Sequence, residues 1–321
     1  MKQLPLIPLG LLLLAAATGA CNKDGVIDAP EPDPGTDSPV RPPSASGSAR
    51  STRVFEWMPA PGQFINEPSA GAITTMEQAC DLAQQRLDAG QYVSLGAFGG
   101  YIVVGFDHSI TAGASGYDFA IGGNAFFNAG TGEGGSNEPG IVYVMQDSNG
   151  NGLPDDTWYE LRGSETGTPA CLRDYAVTYY RPKTAGSDIR WTDSEGREGT
   201  VDYLKAFHPQ DSYYPAWIDL ESYTLRGTRL EARTTQDPNT GLWDNSAFGF
   251  GYADNIGDDV LPGDPMRNGF RISDAMLPDG SPAGLKHIDF VKVQTGVNSK
   301  AGWLGEVSTE VFFFEDLHLK K

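Results

Sequence analysis

The sequence predicts an all-β protein with one N-terminal α-helix and long loops, built as an antiparallel sandwich or barrel. Glycine (40) and proline (22) make up about a fifth of the 321 residues, a density that interrupts long helices and excludes an all-α bundle. Short segments rich in β-branched and aromatic residues recur along the chain, bounded by Gly, Pro, Asn and Asp, which is typical of strands. Because 11% of the residues are aromatic, most of the chain is expected to fold.

The charge balance limits the partners of the protein. Lys and Arg number 23 against 42 Asp and Glu, which gives a formal net charge of −19 at pH 7. A chain this acidic is repelled by the phosphate backbone of nucleic acids and gains nothing from an anionic membrane leaflet. We therefore expect no nucleic-acid partner.

Residues 1–20 have the composition of a secretory signal peptide. Lys2 precedes an apolar stretch that includes residues 11–17, and small residues follow at 18–20. The stretch is too short and has the wrong flanks for a permanent membrane-spanning helix. Small residues directly before Cys21 resemble the bacterial lipobox, in which this cysteine is lipidated and anchors the mature chain in membrane lipid. The alternative is an ordinary signal peptide followed by a chance cysteine.

The segment from Cys21 to residue 53 is predicted to be a disordered tether. Six prolines, several Ser, Gly and Asp residues and no aromatic residue leave residues 22–53 too little apolar surface to offset the entropy of ordering. Asn22 at the second mature position, by resemblance to lipoprotein sorting rules, indicates the outer membrane. From Val54 onward aromatic residues recur without a second change in composition, so residues 54–321 are expected to form one domain.

One segment of this domain has the pattern of a helix. Thr74 and Glu77 offer a capping box, apolar residues follow at helical spacing from Met76 to Leu87, and Gly90 is placed for a C-terminal cap. The connections at 128–138 and 253–269 exceed the usual loop length, which often indicates a binding or metal site. The predicted strands are, in chain order, 101–106, 141–145, 158–161, 175–180, 287–293 and 310–314.

Residues 147–156, with the sequence DSNGNGLPDD, carry the sharpest metal-binding signal. Oxygen side chains at positions 1, 3, 5 and 9 with Gly at position 6 match the first part of an EF-hand-type calcium loop. Trp158 stands where the closing Glu belongs, so Asp156 or Glu160 would have to substitute for it. The loop predicts a structural Ca²⁺ site, and an ion-free turn is the alternative. The predicted site residues are Asp147, Asn149, Asn151, Leu153, Asp155 and Asp156.

Two cysteines form a candidate disulfide. Cys80 lies on the predicted helix, and Cys171 lies just before a predicted strand. In an exported chain, closing a loop of about ninety residues would stabilise the fold by roughly 4–5 kcal/mol in the chain-entropy model. Two buried thiols are the alternative.

Three aromatic residues around a proline form a candidate ligand-binding surface. Tyr213, Tyr214 and Trp217 lie in an expected loop, where exposed flat rings would stack on sugars or planar ligands. If the three rings are buried, they close the edge of the sandwich instead. The acidic segment around Asp254 has no metal-ligand spacing, and we expect a solvated loop there.

No catalytic motif stands out in the sequence. Four histidines occur without a His-Glu-x-x-His run, and there is no Gly-x-Ser-x-Gly elbow, which removes the main support for a metalloprotease or a serine hydrolase. Carboxylate pairs such as Asp118 and Glu138 leave glycoside hydrolysis open. We therefore expect a protein without enzymatic activity.

Six motifs of the predicted domain form a set: PAPGQFIN (59–66), VSLGAFGG (93–100), GFDHSI (105–110), DFAIGGNAF (118–126), EPGIV (138–142) and GEVSTEV (305–311). The set resembles a family of surface lipoproteins from gut-type didermal bacteria, usually described only as cell surface proteins and often carrying PKD modules. The resemblance covers about residues 54–315 and implies a β-sandwich of jelly-roll type, similar to discoidin or galactose-binding domains. It also implies an association with TonB-dependent uptake systems, including those for corrinoids such as cobalamin.

Together these features predict an outer-membrane lipoprotein that faces the cell exterior. We expect it to bind a glycan, a corrinoid or a TonB-dependent transporter complex as an accessory to nutrient uptake. The anchor, the tether, the all-β pattern and the missing catalytic motifs motivate this expectation. Two alternatives stay open: a carbohydrate-active enzyme on a surface tether, and an adhesion or structural surface protein.

Overall fold

The computed structural model describes residues 39–68, 71–127 and 135–319. The predicted signal peptide, Cys21 and the first part of the predicted tether lie outside the described residues, as do residues 128–134 of one long loop. Within the described ranges the predicted class is confirmed, because strands dominate the chain and one α-helix accompanies them.

Short strands separated by long connections make up most of the described chain. Two short 3-10 helices lie at Ile272–Asp274 and Gly302–Leu304. The strands and the α-helix are β1 (Arg53–Met58), α1 (Met76–Asp88), β2 (Val93–Ser94), β3 (Tyr101–Thr111), β4 (Phe119–Gly122), β5 (Gly140–Met145), β6 (Tyr159–Glu160), β7 (Cys171–Tyr180), β8 (Ile189–Asp193), β9 (Glu198–Val201), β10 (Ser222–Leu230), β11 (Thr234–Gln236), β12 (Trp243–Asn245), β13 (Tyr252–Ala253), β14 (Arg267–Phe270), β15 (His287–Thr295), β16 (Glu310–Val311) and β17 (Phe313–Asp316).

A six-stranded sheet forms the centre of the fold. Its strands follow the order β1-β3-β15-β5-β13, and β6 pairs with β5. A four-stranded sheet (β10-β7-β8-β9) and a three-stranded sheet (β14-β4-β17) accompany it, together with the pairs β16-β2 and β11-β12. Neighbouring strands in these sheets are antiparallel, as sandwiches of this class require.

One hydrophobic core joins the three larger sheets. Strands β3 and β15 are buried along nearly their whole length, so both faces of the six-stranded sheet are covered there. Val104 of this sheet, Phe119 of the three-stranded sheet and Tyr179 of the four-stranded sheet belong to the same cluster of fully buried residues. The sheets therefore stabilise one another through shared apolar contacts.

The predicted helix is confirmed, with its N-terminus shifted by one residue. Thr75 is the N-cap, since its side chain accepts a hydrogen bond from Gln78 N at 3.2 Å, and the Gln78 carboxamide oxygen accepts one from Thr74 N. Gly90 follows the helix with a φ of 66°, a left-handed conformation that favours glycine. Among the described helices, none has the length and apolar composition needed to cross a bilayer.

The predicted strand at 310–314 is two strands. Strand β16 pairs with β2, and after Phe312 the chain enters β17, which pairs with β4 in another sheet. Phe312 N donates to the carbonyl of Gly122 at the point of transfer. An uninterrupted apolar run can thus contribute strands to two sheets, and its sequence pattern does not show where the chain passes from one sheet to the other.

The predicted tether is wrong at its C-terminal end, because the described residues before Val54 are packed on the domain. Arg41 donates twice to the carboxylate of Asp289, at 3.1 and 2.8 Å, and its backbone N–H donates to Ser109 Oγ. Ser51 N donates to the carbonyl of Phe314, which extends these contacts toward β1. Composition did not reveal this packing, because it depends on backbone hydrogen bonds and on an arginine that pairs with a distant buried carboxylate.

Replacing Arg41 with alanine should therefore destabilise the protein. Asp289 is almost completely buried, whereas the Arg41 side chain is 37% exposed. We therefore expect the free energy of unfolding to fall by about 1–3 kcal/mol, which is less than the full value of a buried ion pair. Urea unfolding measures the change in the free energy of unfolding. Arg190→Ala, which removes an exposed ion pair with Glu198, is the control and should cost about 0.5 kcal/mol or less. Equal effects of the two changes would show that residue 41 contributes no more than a surface contact.

Candidate functional site

The predicted calcium loop folds as a turn held by its own side chains. The Asp147 carboxylate accepts hydrogen bonds from Asn151 N at 3.1 Å and from Gly152 N at 2.9 Å. The amides of Asn149 and Asn151 both donate to Asp155, and Asp156 accepts from Ser148 N. The polar residues therefore converge as the spacing predicts, while the Leu153 side chain is exposed. Whether Ca²⁺ replaces some of these contacts stays a prediction.

The candidate disulfide is not formed, because Cys80 and Cys171 are both free thiols. Cys80 is buried on α1, whereas Cys171 begins β7 and packs with a separate small cluster of apolar residues. Burial raises the pKa of both thiols, which lowers the thiolate fraction that reacts at neutral pH.

The candidate aromatic surface is wrong, because all three rings are buried. Tyr213 and Tyr214 are at most 2% exposed, and each hydroxyl donates to a backbone carbonyl. Trp217 packs against Trp57 with ring centroids 4.9 Å apart. The three residues close the core at this edge, which was the alternative interpretation of the sequence.

A cavity of about 600 Å³ lies elsewhere, between β12, β16 and the segments at 135–138 and 301–308. Side-chain oxygen acceptors line it, among them those of Glu138, Asn245, Glu306 and Glu310. We call this cavity the acceptor pocket. Its size is within the range of sites that hold small ligands in other proteins.

Three carboxyl groups meet beside the acceptor pocket, and two of them, Glu138 and Glu310, line it. Glu138 directly precedes β5, Asp254 directly follows β13, and Glu310 lies on β16. Because β13 pairs with β5, the first two residues come together, and Glu310 N donates to Asp254 Oδ2 at 2.9 Å. Oxygen atoms of the three side chains all lie within 4.8 Å of one another.

Asp254 holds this arrangement in place, which corrects the expectation of a solvated loop. It is 1% exposed, and besides Glu310 N its carboxylate accepts hydrogen bonds from the backbone of Asn124 and Ala125. Three backbone donors favour its ionised form, although burial raises its pKa. A Cβ at Gly123 would lie 2.6 Å from Asp254 Oδ1, so only glycine fits beside this carboxylate.

Glu138 and Glu310 are within hydrogen-bonding reach of each other. Burial raises the pKa of Glu310 to about 7, and burial together with the neighbouring carboxylates raises the pKa of Glu138. Ser308 Oγ donates to Glu310 Oε1 at 2.9 Å. Within the described ranges, none of the three carboxyl groups forms an ion pair with a basic side chain. Their negative charge is therefore balanced by protons or by a bound cation or ligand.

Two further buried oxygens in the pocket have no hydrogen-bond partner among the described residues. They are Oε2 of Glu306 and Oδ1 of Asn245, whose residues are 6% and 7% exposed. The other oxygen of Glu306 accepts from Gln63 N at 2.8 Å. A buried acceptor without a donor costs roughly 1–3 kcal/mol, so both oxygens are suited to a ligand or to ordered water.

Apolar and aromatic side chains form the walls and surround the mouth of the acceptor pocket. Phe64 and Tyr92 pack edge to face in one wall, and Trp243 forms part of another. Large apolar side chains at and beside the lining are exposed: Phe126, Phe127, Leu242, Trp303 and Leu304. An acceptor-rich floor below aromatic walls can bind a molecule that has both hydrogen-bond donors and an apolar face.

The acceptor pocket was not predicted, but one sequence signal could have indicated it. In residues 306–311, Glu306, Ser308 and Glu310 alternate with Val307 and Val311. This period of two places the polar residues on one face of an extended chain. All five residues are buried, so the polar face meets an enclosed site and not solvent.

Comparisons with known proteins identified no relative of this chain. No protein family matches the chain, and no curated protein sequence is similar to it. No enzyme family is therefore indicated.

The burial of Glu306 predicts a dependence of stability on pH. Its pKa is raised from 4.5 to about 7, because burial disfavours the carboxylate. The protonated group stabilises the fold below about pH 4.5, and this contribution of about 3 kcal/mol is lost as the pH rises through 7. The Gln side chain in Glu306→Gln cannot ionise, so the free energy of unfolding of this variant should decline less as the pH rises. Urea unfolding from pH 4.5 to 8 in the presence of a chelator measures this decline. The exposed Glu221→Gln is the control, and an unchanged slope in Glu306→Gln would contradict the assignment.

Proposed function

We propose that the protein is a lipid-anchored outer-membrane protein that faces the cell exterior and captures a ligand in the acceptor pocket. The observation that carries this proposal is a cavity in which Glu306 and Asn245 present buried, unpartnered oxygens beside the Glu138 and Glu310 pair. Such a floor stabilises a ligand that donates hydrogen bonds or carries positive charge. Capture would supply a TonB-dependent uptake complex, the partner that the sequence motifs imply.

A glycan fits the pocket better than a complete corrinoid. Sugar hydroxyls donate to carboxylates and amides, while the apolar face of a pyranose ring stacks on aromatic walls such as Trp243. A cavity of about 600 Å³ can enclose one or two sugar units. A corrinoid is much larger and would enter with only part of its periphery, although its amide side chains also donate hydrogen bonds.

A lipid anchor at Cys21 would connect this pocket to the bilayer through a spacer. Because Arg41 already packs on the domain, the spacer consists of the residues between Cys21 and Arg41. The spacer is therefore shorter than the predicted tether. A short spacer suits an accessory that hands its ligand to a transporter in the same membrane.

The loop at 147–156 is proposed as a structural calcium site that supports the capture domain. Asp147 N donates to Asp289, the same carboxylate that Arg41 binds, so the loop and the N-terminal segment are connected through one buried group. Ordering the loop would stabilise both. Extracellular calcium sites bind with dissociation constants of about 10⁻⁴–10⁻³ M, which is sufficient for this purpose.

A surface glycoside hydrolase is the second candidate, favoured by the pKa of Glu306. A carboxyl group with a pKa of about 7 in an accessible cavity has the property of a general acid. Glu138 and Glu310, in contrast, are in hydrogen-bonding reach, closer than the roughly 5–5.5 Å or 6.5–9.5 Å that separate the two carboxyl groups of glycosidases. This spacing supports binding over hydrolysis.

The ligand should be found by thermal unfolding against a panel of plant and host glycans, corrinoids and common metabolites, with calcium present. A ligand at a hundred times its Kd adds about 2.7 kcal/mol, which raises the melting temperature by several degrees. Asn245→Ala and Trp243→Ala should each abolish the shift. Phe250→Ala, an exposed ring that lines a different cavity, is the matched control and should preserve it.

The same panel separates the alternatives. Hydrolysis of a glycan that stops in Glu306→Gln would establish the enzyme and overturn the capture function. A flat panel with binding to cells or matrix would instead support the adhesion protein.

The calcium loop is tested by chelation. Removing calcium should lower the stability of the parent protein by about 1–3 kcal/mol, a shift of a few degrees in the melting temperature. Asp147→Asn should reduce this chelator-dependent change, because the first ligand of the loop loses its charge. Asp279→Asn, in another exposed turn, is the control. If Asp147→Asn and the parent lose the same stability on chelation, the loop is an ion-free turn.

A further inference from the structure

We propose that Glu138, Asp254 and Glu310 form a second calcium site, at the edge of the acceptor pocket that Glu138 and Glu310 line and independent of the loop at 147–156. This site stands on the geometry of the three side chains and does not require that the pocket capture an organic ligand.

The spacing of the three carboxyl groups fits a bound Ca²⁺. Calcium binds oxygen at 2.3–2.6 Å, so two ligands on opposite sides of the ion are about 5 Å apart. The carboxyl oxygens of Glu138, Asp254 and Glu310 all lie within 4.8 Å of one another. One ion can therefore contact all three without a change of backbone.

The charge of the cluster also calls for a cation. Three acidic groups meet where Asp254 and Glu310 are 1% and 3% exposed, and within the described ranges no basic side chain pairs with any of them. Buried charges in proteins are otherwise paired or bound to metal. The backbone donors at Asp254 compensate one carboxylate and leave the two glutamates.

A second observation concerns the same cavity. Oε2 of Glu306 and Oδ1 of Asn245 belong to side chains more than nine-tenths buried, line the same cavity and have no partner in the described part of the chain. These oxygens are hydrogen-bond acceptors, so they can bind a cation, a water molecule that the cation coordinates, or another hydrogen-bond donor. That these two oxygens lack a hydrogen-bond partner among the described residues does not depend on the contacts within the carboxyl cluster.

The donor set selects calcium over other common metals. The groups are carboxylates, an amide oxygen and the Ser308 hydroxyl, with no imidazole or thiolate among the described lining residues. Zinc prefers nitrogen and sulfur ligands. Magnesium keeps several waters and usually uses one or two carboxylates, whereas calcium takes six to eight oxygens in a flexible geometry.

A calcium ion at this position would leave coordination places open toward the cavity. Hydroxyl groups of a ligand could complete its shell, a consequence that rests on the proposed capture function. Calcium would then be required for ligand binding and not only for stability.

The test is calcium titration by calorimetry on chelator-treated full-length Asp147→Asn protein, in which the loop site is disabled. We expect one Ca²⁺ per chain. Adding Glu138→Gln or Glu310→Gln should weaken binding at least tenfold, since each amide keeps the shape of the side chain and removes its charge. Asp259→Asn, which changes a carboxyl group 3% exposed in another cavity, should leave binding unchanged. No binding in Asp147→Asn, or equal binding in the pocket variants, would overturn the proposal.

Terbium luminescence locates the ion without altering a carboxylate. Tb³⁺ replaces Ca²⁺ and emits when excited through a nearby tryptophan, here Trp243 in the lining of the pocket. In the Asp147→Asn background, Trp243→Phe should remove most of the sensitised emission, and Trp191→Phe should retain it. Emission that survives when both Trp243 and Trp303 are replaced by Phe would place the ion elsewhere and overturn the proposal. Calcium binding with a flat ligand panel would contradict only the capture function, and ligand binding without calcium would contradict only the calcium requirement of that binding.

Discussion

The Asp254 carboxylate is the contact on which the candidate site depends. It accepts backbone hydrogen bonds from Asn124, Ala125 and Glu310, three positions that come from two distant parts of the chain. Each hydrogen bond to a charged group contributes about 1.5–3 kcal/mol, so this side chain joins the end of β4, the end of β13 and the start of β16. Its backbone adopts a left-handed φ of 54°, which aspartate tolerates better than most residues.

This organisation has an energetic cost that a purely structural role does not explain. Asp254 brings Glu138 and Glu310 close together, and Glu306 adds a further, buried carboxyl group to the lining of the cavity. Filling such a site with apolar side chains is often neutral or stabilising. Groups with perturbed pKa values in a cavity are typical of functional sites, and the unpartnered oxygens of Glu306 and Asn245 agree with that interpretation.

Local patterns in the sequence predicted most of the elements. Five of the six expected strands overlap single strands of the structure, the sixth is divided between β16 and β17, and the helix begins at Met76 with Gly90 just beyond its end. The sequence-based predictions were wrong where a contact outside the local pattern determines the structure. Gln78, not Glu77, completes the helix cap, and Phe312 marks a change of sheet inside an apparently continuous strand. Arg41 packs on the domain although its neighbours have the composition of a tether.

The sequence by itself determined the all-β class, the position of the helix and the alternation of Glu306, Ser308 and Glu310 on one face. These properties depend on residues within a few positions of one another, through periodicity, turns and caps. Only the tertiary structure decided that Tyr213, Tyr214 and Trp217 are buried and that Asp254 is enclosed. It also decided that Glu138 and Glu310 meet although they are 172 positions apart in the chain, because strand pairing and side-chain burial depend on long-range contacts that no local pattern encodes.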